Sequence, residues 1–312
     1  MDTTPKLTMR PYHSDDDFWR MRAFLREIFP LNDRLERYWS VPRLDYWRWH
    51  LIPTCETTPM EQMTFLWEAA DGKLAAILHA TDPGEAFHHI HPDFRSFDLE
   101  SGMYAVAEEH LSGFDAAGRR RLLTLADEGD LLRVEVLKAR GYVQRDVVVH
   151  HWMRDLDGPL PEVPAADGYI IRSMGDAREY RARAWASWRA FHADEPDDGF
   201  GGGDWFANLQ SAPLYRRDLD IVAEAPNGEI ASFATIFYDD VNRSAVCVLV
   251  GTAAEHWRRG LGKACLGEGF RRLQAMGCTR VFANGYDAPA NALYQSALGS
   301  GYRSDSWYKL LD

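Results

Sequence analysis

The residues best equipped for chemistry lie between Val248 and Ala264. An apolar run through Leu249 and Val250 passes Gly251 and Thr252 into a short polar loop. That loop ends in Arg258, Arg259, Gly260, Leu261 and Gly262, and a helical pattern continues through Lys263 and Ala264. A glycine-rich turn that opens a helix leaves several backbone N–H groups unpaired and aims them one way. The positive end of the helix dipole adds to them, as do Arg258, Arg259 and Lys263. This is a site for a pyrophosphate. Two familiar versions fail on residue type. A magnesium-nucleotide P-loop needs Gly where Trp257 stands and Ser or Thr where Ala264 stands. A dinucleotide fingerprint needs its third glycine where Cys265 stands.

Other reactive side chains carry less. Cys55, Cys247, Cys265 and Cys278 form no Cys-x-x-Cys pair, as expected of a reduced, cytoplasmic protein. Cys247 sits in an apolar strand and reads as a small inert hydrophobe. His79, His88, His89 and His91 invite a metal reading, and strand alternation puts His89 and His91 on one face. No cysteine is near to complete a site, so they read as histidines on a polar face and no metal is expected.

The 248–264 segment resembles motif A of the GCN5-related N-acetyltransferases (GNAT), Arg/Gln-x-x-Gly-x-Gly/Ala, at Arg259 to Ala264. Asn291, Tyr294 and the Gly301-Tyr302 corner resemble that family's later motif, although the Asn-to-Tyr spacing here is three. The resemblance covers the second half of the chain and implies acetyl-CoA as cosubstrate. It implies that the strand Ser244–Val250 splays from its neighbour and pairs with the pantetheine arm. Leu249, Val250, Gly251, Thr252, Arg258, Arg259, Gly260, Leu261, Gly262, Lys263, Ala264 and Asn291 would hold the cofactor, and Tyr294 would protonate the departing thiolate. The acceptor implied is a small-molecule primary amine that attacks directly. The family's strand glutamate is missing from Ala245 to Leu249. Glu255, His256, Asp239, Asp240, His192 or a water chain are the candidate bases. A non-catalytic acyl-CoA-binding or regulatory protein is the alternative reading, and transfer of a different acyl group is a third.

The elements that must position these residues occur twice. Arg10, Gly72 and Gly141 match Arg172, Gly228 and Gly301 at offsets of 162, 156 and 160. Asp71-Gly72 and Asn227-Gly228, each between apolar runs, are hairpin turns. The near-constant offset indicates an internal duplication. The expected architecture is α/β: two tandem GNAT-like domains, each a twisted mixed sheet with helices on both faces. The expected boundaries are 1–154, a linker at 155–168 containing Pro159, Pro161 and Pro164, and 169–312. In the second half strands are expected at Tyr169–Ser173, Asp220–Ala225, Glu229–Tyr238, Ser244–Val250, Arg280–Asn284 and Ser304–Leu311. Helices are expected at Asp176–Arg189, Leu261–Met276 and Ala288–Leu298. A shift of 162 puts Asp98 at Gly260 and Glu100 at Gly262, so the first half is expected not to bind acetyl-CoA in this way. Its Trp-rich stretch, Tyr38 to Trp49, would wall an acceptor cleft or pack a core.

Composition agrees. At about 150 residues per domain, 312 residues suggest two domains. A net charge of −12 disfavours a duplex-coating nucleic-acid binder and a polybasic membrane anchor. No run of apolar residues is long enough to span a membrane. The residues from Met1 to Leu7 show no signal-peptide pattern.

Overall fold

The computed structural model describes residues 6–37, 39–55 and 57–312. The first five residues and Tyr38, to which two of the readings above refer, lie outside them. In chain order the elements begin with β1 (Thr8–Pro11), α1 (Asp15–Leu31), α2 (Val41–Tyr46), a π-helical turn (Trp47–Leu51), α3 (Ile52–Cys55) and α4 (Met60–Met63). Then come β2 (Thr64–Glu68), β3 (Leu74–His79), β4 (Glu85–Ile90), α5 (Phe97–His110), β5 (Gly113–Phe114), β6 (Arg120–Asp127), α6 (Leu131–Ala139) and β7 (Val143–Asp155). The rest comprises β8 (Ile170–Ser173), α7 (Tyr180–Phe191), α8 (Trp205–Gln210), β9 (Asp220–Glu224), β10 (Ile230–Asp239), β11 (Ser244–Thr252), α9 (Leu261–Ala275), β12 (Arg280–Gly285), α10 (Ala288–Leu298) and β13 (Ser300–Leu310).

The chain forms two compact units whose bounds differ from the sequence break at 155–168. One comprises Met1–Leu44, Glu56–Val149 and Tyr302–Asp312, the other Asp45–Cys55 and His150–Gly301. In the first unit β1, β2, β3 and β4 run antiparallel in turn, β4 and β6 are parallel, and β13 closes antiparallel on β6. In the second, β8, β9, β10 and β11 are antiparallel, β11 and β12 are parallel, and β7 closes antiparallel on β12 through His150–Asp155. The plans are identical, and each sheet takes its closing strand from the other half of the chain. Hydrogen bonding requires this of them: β6 and β12 would otherwise present an open edge. Residues 156–168 are more than a tether. The Leu156 N–H donates to Thr279 O at 2.9 Å, Gln274 donates to the carbonyls of Leu156 and Gly158, and Val163 packs at Gly267 of α9.

The duplication is also visible in charge pairing. Arg10 bridges Asp17 at 2.6 Å and Glu68 at 2.7 Å. Arg172 bridges Glu179 at 2.9 Å and Glu224 at 2.7 Å. Each guanidinium ties the first strand of its unit to the following helical segment and to the neighbouring strand. Gly72 and Gly228 hold φ of +83° and +85°, the left-handed conformation that glycine adopts without strain, and each closes its hairpin.

In the second unit β10 is buried along its whole length and alternates between two layers. Ala234 and Ile236 join the apolar cluster with Leu261, Cys265 and Phe270 of α9. Phe233 and Thr235 face α7, where Arg183 lies. In the first unit His79, His88, His89 and His91 are buried, which corrects the polar-face reading. His79 and His89 approach at 3.0 Å between ring nitrogens, and His88 lies 4.2 Å from the Tyr104 ring. His91 lies just past the end of β4 and caps the turn at Pro92–Phe94, so strand alternation does not extend to it. Among the described residues no group of three or more His, Cys, Asp or Glu is placed to hold a metal ion.

Burial pushes His79 and His88 far down and His89 to about 3, so all three are neutral in the fold. The unfolded chain takes up protons near the ordinary histidine pKa of about 6.5 while the folded chain does not. Stability therefore falls as pH drops below about 6.5, by up to about 1.4 kcal/mol per pH unit for each imidazole. Urea titrations at pH 7.5 and 5.5 are expected to show this loss in the first unit. Equal stability at the two values would show that these rings are not held neutral.

Candidate active site

The site begins with a break in strand pairing. β11 is parallel to β12 only at Ser244, Ala245 and Val246, while its pairing with β10 continues to Thr252. The register shifts where Thr235 pairs Leu249 and Ile236 pairs Cys247, leaving Val248 as the extra residue of a bulge. A bulge bends its strand and raises local twist, which releases β11 from β12. From Val248 to Thr252 the strand is half-buried, after four buried residues. The expected splay is present, and Leu249, Val250, Gly251 and Thr252 line the released segment.

That segment leads to the start of α9. Gly260 is the N-cap at φ +73°, and no side chain caps the helix. The first helical bond runs from the Ala264 N–H to Gly260 O at 3.0 Å. The amides of Leu261, Gly262 and Lys263 precede that bond and lie outside the ladder. Ala264 itself is corrected as a donor, because its amide is committed to the helix. Arg258 (φ +62°) and Arg259 are exposed beside the turn, and the Arg259 guanidinium lies 5.9 Å from the Tyr169 ring.

Gly262 is informative. A Cβ there would lie 3.4 Å from Leu293 and 3.5 Å from Thr252 Oγ1, ordinary contact distances. Nothing in the fold requires glycine at this position, and in a helix glycine costs about 1 kcal/mol relative to alanine. Gly262 is buried between Leu293 and Thr252, at the helix start that the released strand leads to.

The same contacts place α10 beside this turn, since Leu293 flanks Gly262. Tyr294 is buried in the apolar cluster with Leu261, and Val250 packs against that cluster. The Asp287 side chain accepts from the Ala290 N–H at 2.7 Å and starts α10. Asn291 serves the fold: its Oδ1 accepts from Trp152 Nε1 at 2.8 Å, and it fills the space against Gly285.

The candidate bases separate by position. Asp239 pairs Ser244 at the β10–β11 turn. Six residues of strand, about 20 Å, divide that end from Val250, which removes Asp239 and its neighbour Asp240. Burial pushes Glu255 up, but a backbone hydrogen bond and Arg189 outweigh it and hold the carboxyl below its ordinary range. His256 Nδ1 bonds the Tyr169 hydroxyl at 2.9 Å. His192 caps α7, stacks on Trp188 at 4.0 Å, and holds Glu195 at 2.8 Å through Nδ1. Ala190, two residues earlier, lies 2.9 Å from where a Cβ on Gly251 would sit. Glu255 and His256 follow the released end of β11 directly, and His192 lies on the helix whose Ala190 meets Gly251 there. In the acidic loop, Asp197 pairs Arg189 at 3.2 Å.

Residues 181–299 match the model of the acetyltransferase (GNAT) family. The chain is 29% identical over 184 residues to a mycothiol acetyltransferase of Thermomonospora curvata, a span of 58% of this chain and 61% of that relative. The match thus covers less than two thirds of the relative's length. A GCN5-related N-acetyltransferase of Sphaerobacter thermophilus superposes with a TM-score of 0.64 at 20% identity, covering 99% of this chain and 97% of its own. A tandem GNAT protein from the clavulanic acid biosynthesis pathway does so with 0.64 at 16% identity, covering 98% of each chain. At these identities the likeness is one of fold, and it extends over both units.

The first unit repeats the plan of the second with its helix start closed. Ser96 caps α5 by accepting from the Leu99 N–H at 3.2 Å. Glu100, fully buried, accepts from Arg95 at 2.5 Å and from Arg133 at 2.8 Å, and Arg95 also pairs Asp130 at 2.6 Å. Glu100 therefore points into an ion network, and only Asp98 stays exposed in the first turn. Removing one member of a buried network strands the others. Glu100→Ala should lower unfolding free energy by about 3 kcal/mol or more, read by chemical denaturation. A loss under about 0.5 kcal/mol, the range of ordinary surface changes, would place Glu100 outside that network.

Sequence reading missed Arg183, Tyr46 and His50. The usable signal was Arg183 at a core position of α7, where Ala184, Ala186 and Ser187 are also buried.

Proposed function

We propose that this chain is an acetyl-CoA-dependent N-acetyltransferase, with its active site in the second unit and a small-molecule primary amine as acceptor. The observation that carries the reading is the uncapped, glycine-led start of α9 beside a strand released from its neighbour. The amides of Leu261, Gly262 and Lys263 would receive the pyrophosphate, with Arg258 and Arg259 adding charge. The released edge of β11 would pair with the pantetheine arm and bring the thioester to Val250. A backbone N–H near Val250 stabilises the oxyanion that forms on the carbonyl.

The acceptor nitrogen attacks the carbonyl carbon, the C–N bond forms, and the C–S bond breaks. His192, held by Glu195, accepts the proton that the amine loses, and Tyr294 supplies one to the thiolate of coenzyme A. No covalent enzyme intermediate is formed. The absence of a carboxylate from Ala245 to Leu249 favours a second reading, an acyl-CoA-binding protein without turnover. Calorimetric titration with acetyl-CoA tests what the two share: one site per chain supports both, and two sites or none oppose both. Release of free thiol on adding amines separates them.

Two variants probe the parts. Gly262→Ala should keep or raise thermal stability while weakening acetyl-CoA binding about tenfold or more, since its Cβ meets no protein clash but intrudes on the ligand face. Unchanged affinity would move the pyrophosphate elsewhere. Tyr294→Phe should cut kcat by about a hundredfold with acetyl-CoA affinity nearly unchanged. Full turnover in that variant would remove Tyr294 from the acid role.

A further inference from the structure

Arg183 is buried completely in the second unit, yet its guanidinium is only partly satisfied. Nη2 donates to Thr235 Oγ1 at 3.1 Å, and Phe233 lies 3.5 Å from the charge. Nε stands 3.7 Å from Asp220 Oδ1, beyond hydrogen-bond reach, and neither Nε nor Nη1 has a hydrogen-bond partner. Asp220 is engaged elsewhere, accepting from Thr235 at 2.8 Å and from Tyr215 at 3.0 Å. Burial of unpaired donors on a cation is costly and calls for a partner.

A second unsatisfied group is buried within electrostatic range of Arg183. His50 comes from the first half of the chain, on the π-helical turn. It is buried between Tyr46 at 4.7 Å and Trp205 at 5.2 Å, with Nδ1 unbonded. Burial and then the Arg183 charge push it down to about 4, so it is a neutral imidazole able to bond a ligand. Tyr46 is within electrostatic range of both Arg183 and Tyr294, which ties these groups to the proposed reaction centre. The strand register gives the spacing. Thr235, the partner of Arg183, pairs Leu249, and Phe233 pairs Gly251. The two positions are about 7 Å apart along β10.

We infer that the acceptor is an amine that also carries a carboxylate, which Arg183 binds while the amine meets the thioester at the released end of β11. The inference rests on the acetyltransferase reading for the place of the amine, and on the unsatisfied Nε and Nη1 of the Arg183 guanidinium for the carboxylate. The spacing fits an unbranched amino acid with a few carbons between its two groups. Burial pushes the Asp220 carboxyl up, against the Arg183 charge and the hydrogen bonds from Thr235 and Tyr215.

The test uses the full chain and four probes: 4-aminobutanoate and 5-aminopentanoate against butylamine and pentylamine. Each is titrated calorimetrically into the wild-type protein saturated with coenzyme A, and again without it. The expected result is at least about tenfold tighter binding of the two amino acids. Arg183→Met should erase that preference, and Arg183→Lys should restore part of it. Equal affinity for amino acids and plain amines, or no detectable binding of either, overturns the inference. The wild-type comparison decides even where a variant does not fold. Acetyl-CoA titration is scored separately: its failure removes the acetyltransferase reading, whereas intact acetyl-CoA binding without the preference removes only the carboxylate.

Discussion

The structure of the second unit depends on one loss of pairing. β11 runs beside β12 for three residues and then leaves it, while β10 keeps hold of the other edge. Pairing along the full length would have closed the sheet and left no edge to receive an extended ligand. The bulge at Val248 sets where the separation starts, and the buried face of β10 fixes how far β11 is carried with it. The start of α9 and the position of Tyr294 both follow from where β11 is released.

The two units differ at one point of a shared plan. Both have a helix start at the end of the fourth strand of their sheet. In α9 the first amides follow a glycine turn, with no side chain capping them. In α5 a serine takes one of those amides, and a glutamate in the first turn is drawn inward by two arginines. The same dipole that makes α9 receptive to an anion is consumed locally in α5. The duplicated Arg10 and Arg172 triads, by contrast, are alike in both units, because they hold strands to helices and have no ligand to serve.

Arg183 is an exception to the packing around it. The rest of the α7 face is small or apolar, and a charge in that layer is tolerated only with compensation. Thr235 and Phe233 compensate in part. Segment Asp45–Cys55, contributed from far away in sequence, packs into the same unit and brings His50 and Tyr46 within electrostatic range of Arg183. Within the Trp-rich stretch Trp47 is fully buried, as core packing requires.

Much of this was legible in residue order. Asx-Gly turns, the alternation of β10, the apolar period of α9 and the Gly260–Gly262 turn are local features, because each depends on backbone preference or side-chain period over a few residues. The α10 helix, Ala288–Leu298, matched to the residue for that reason. The exchange of closing strands was not legible. β7 and β13 have no local property that tells which sheet they complete, and only long-range hydrogen bonding decides it. The buried histidines mark the same limit: their residue type suggests a polar face, and burial came from what packed over them. The pairing of Asn291 with Trp152 and the partial satisfaction of Arg183 are tertiary for the same reason. A side chain's type and spacing determine what it can bond. Which partner reaches it is set by elements distant in the chain, whose approach no short stretch of sequence encodes.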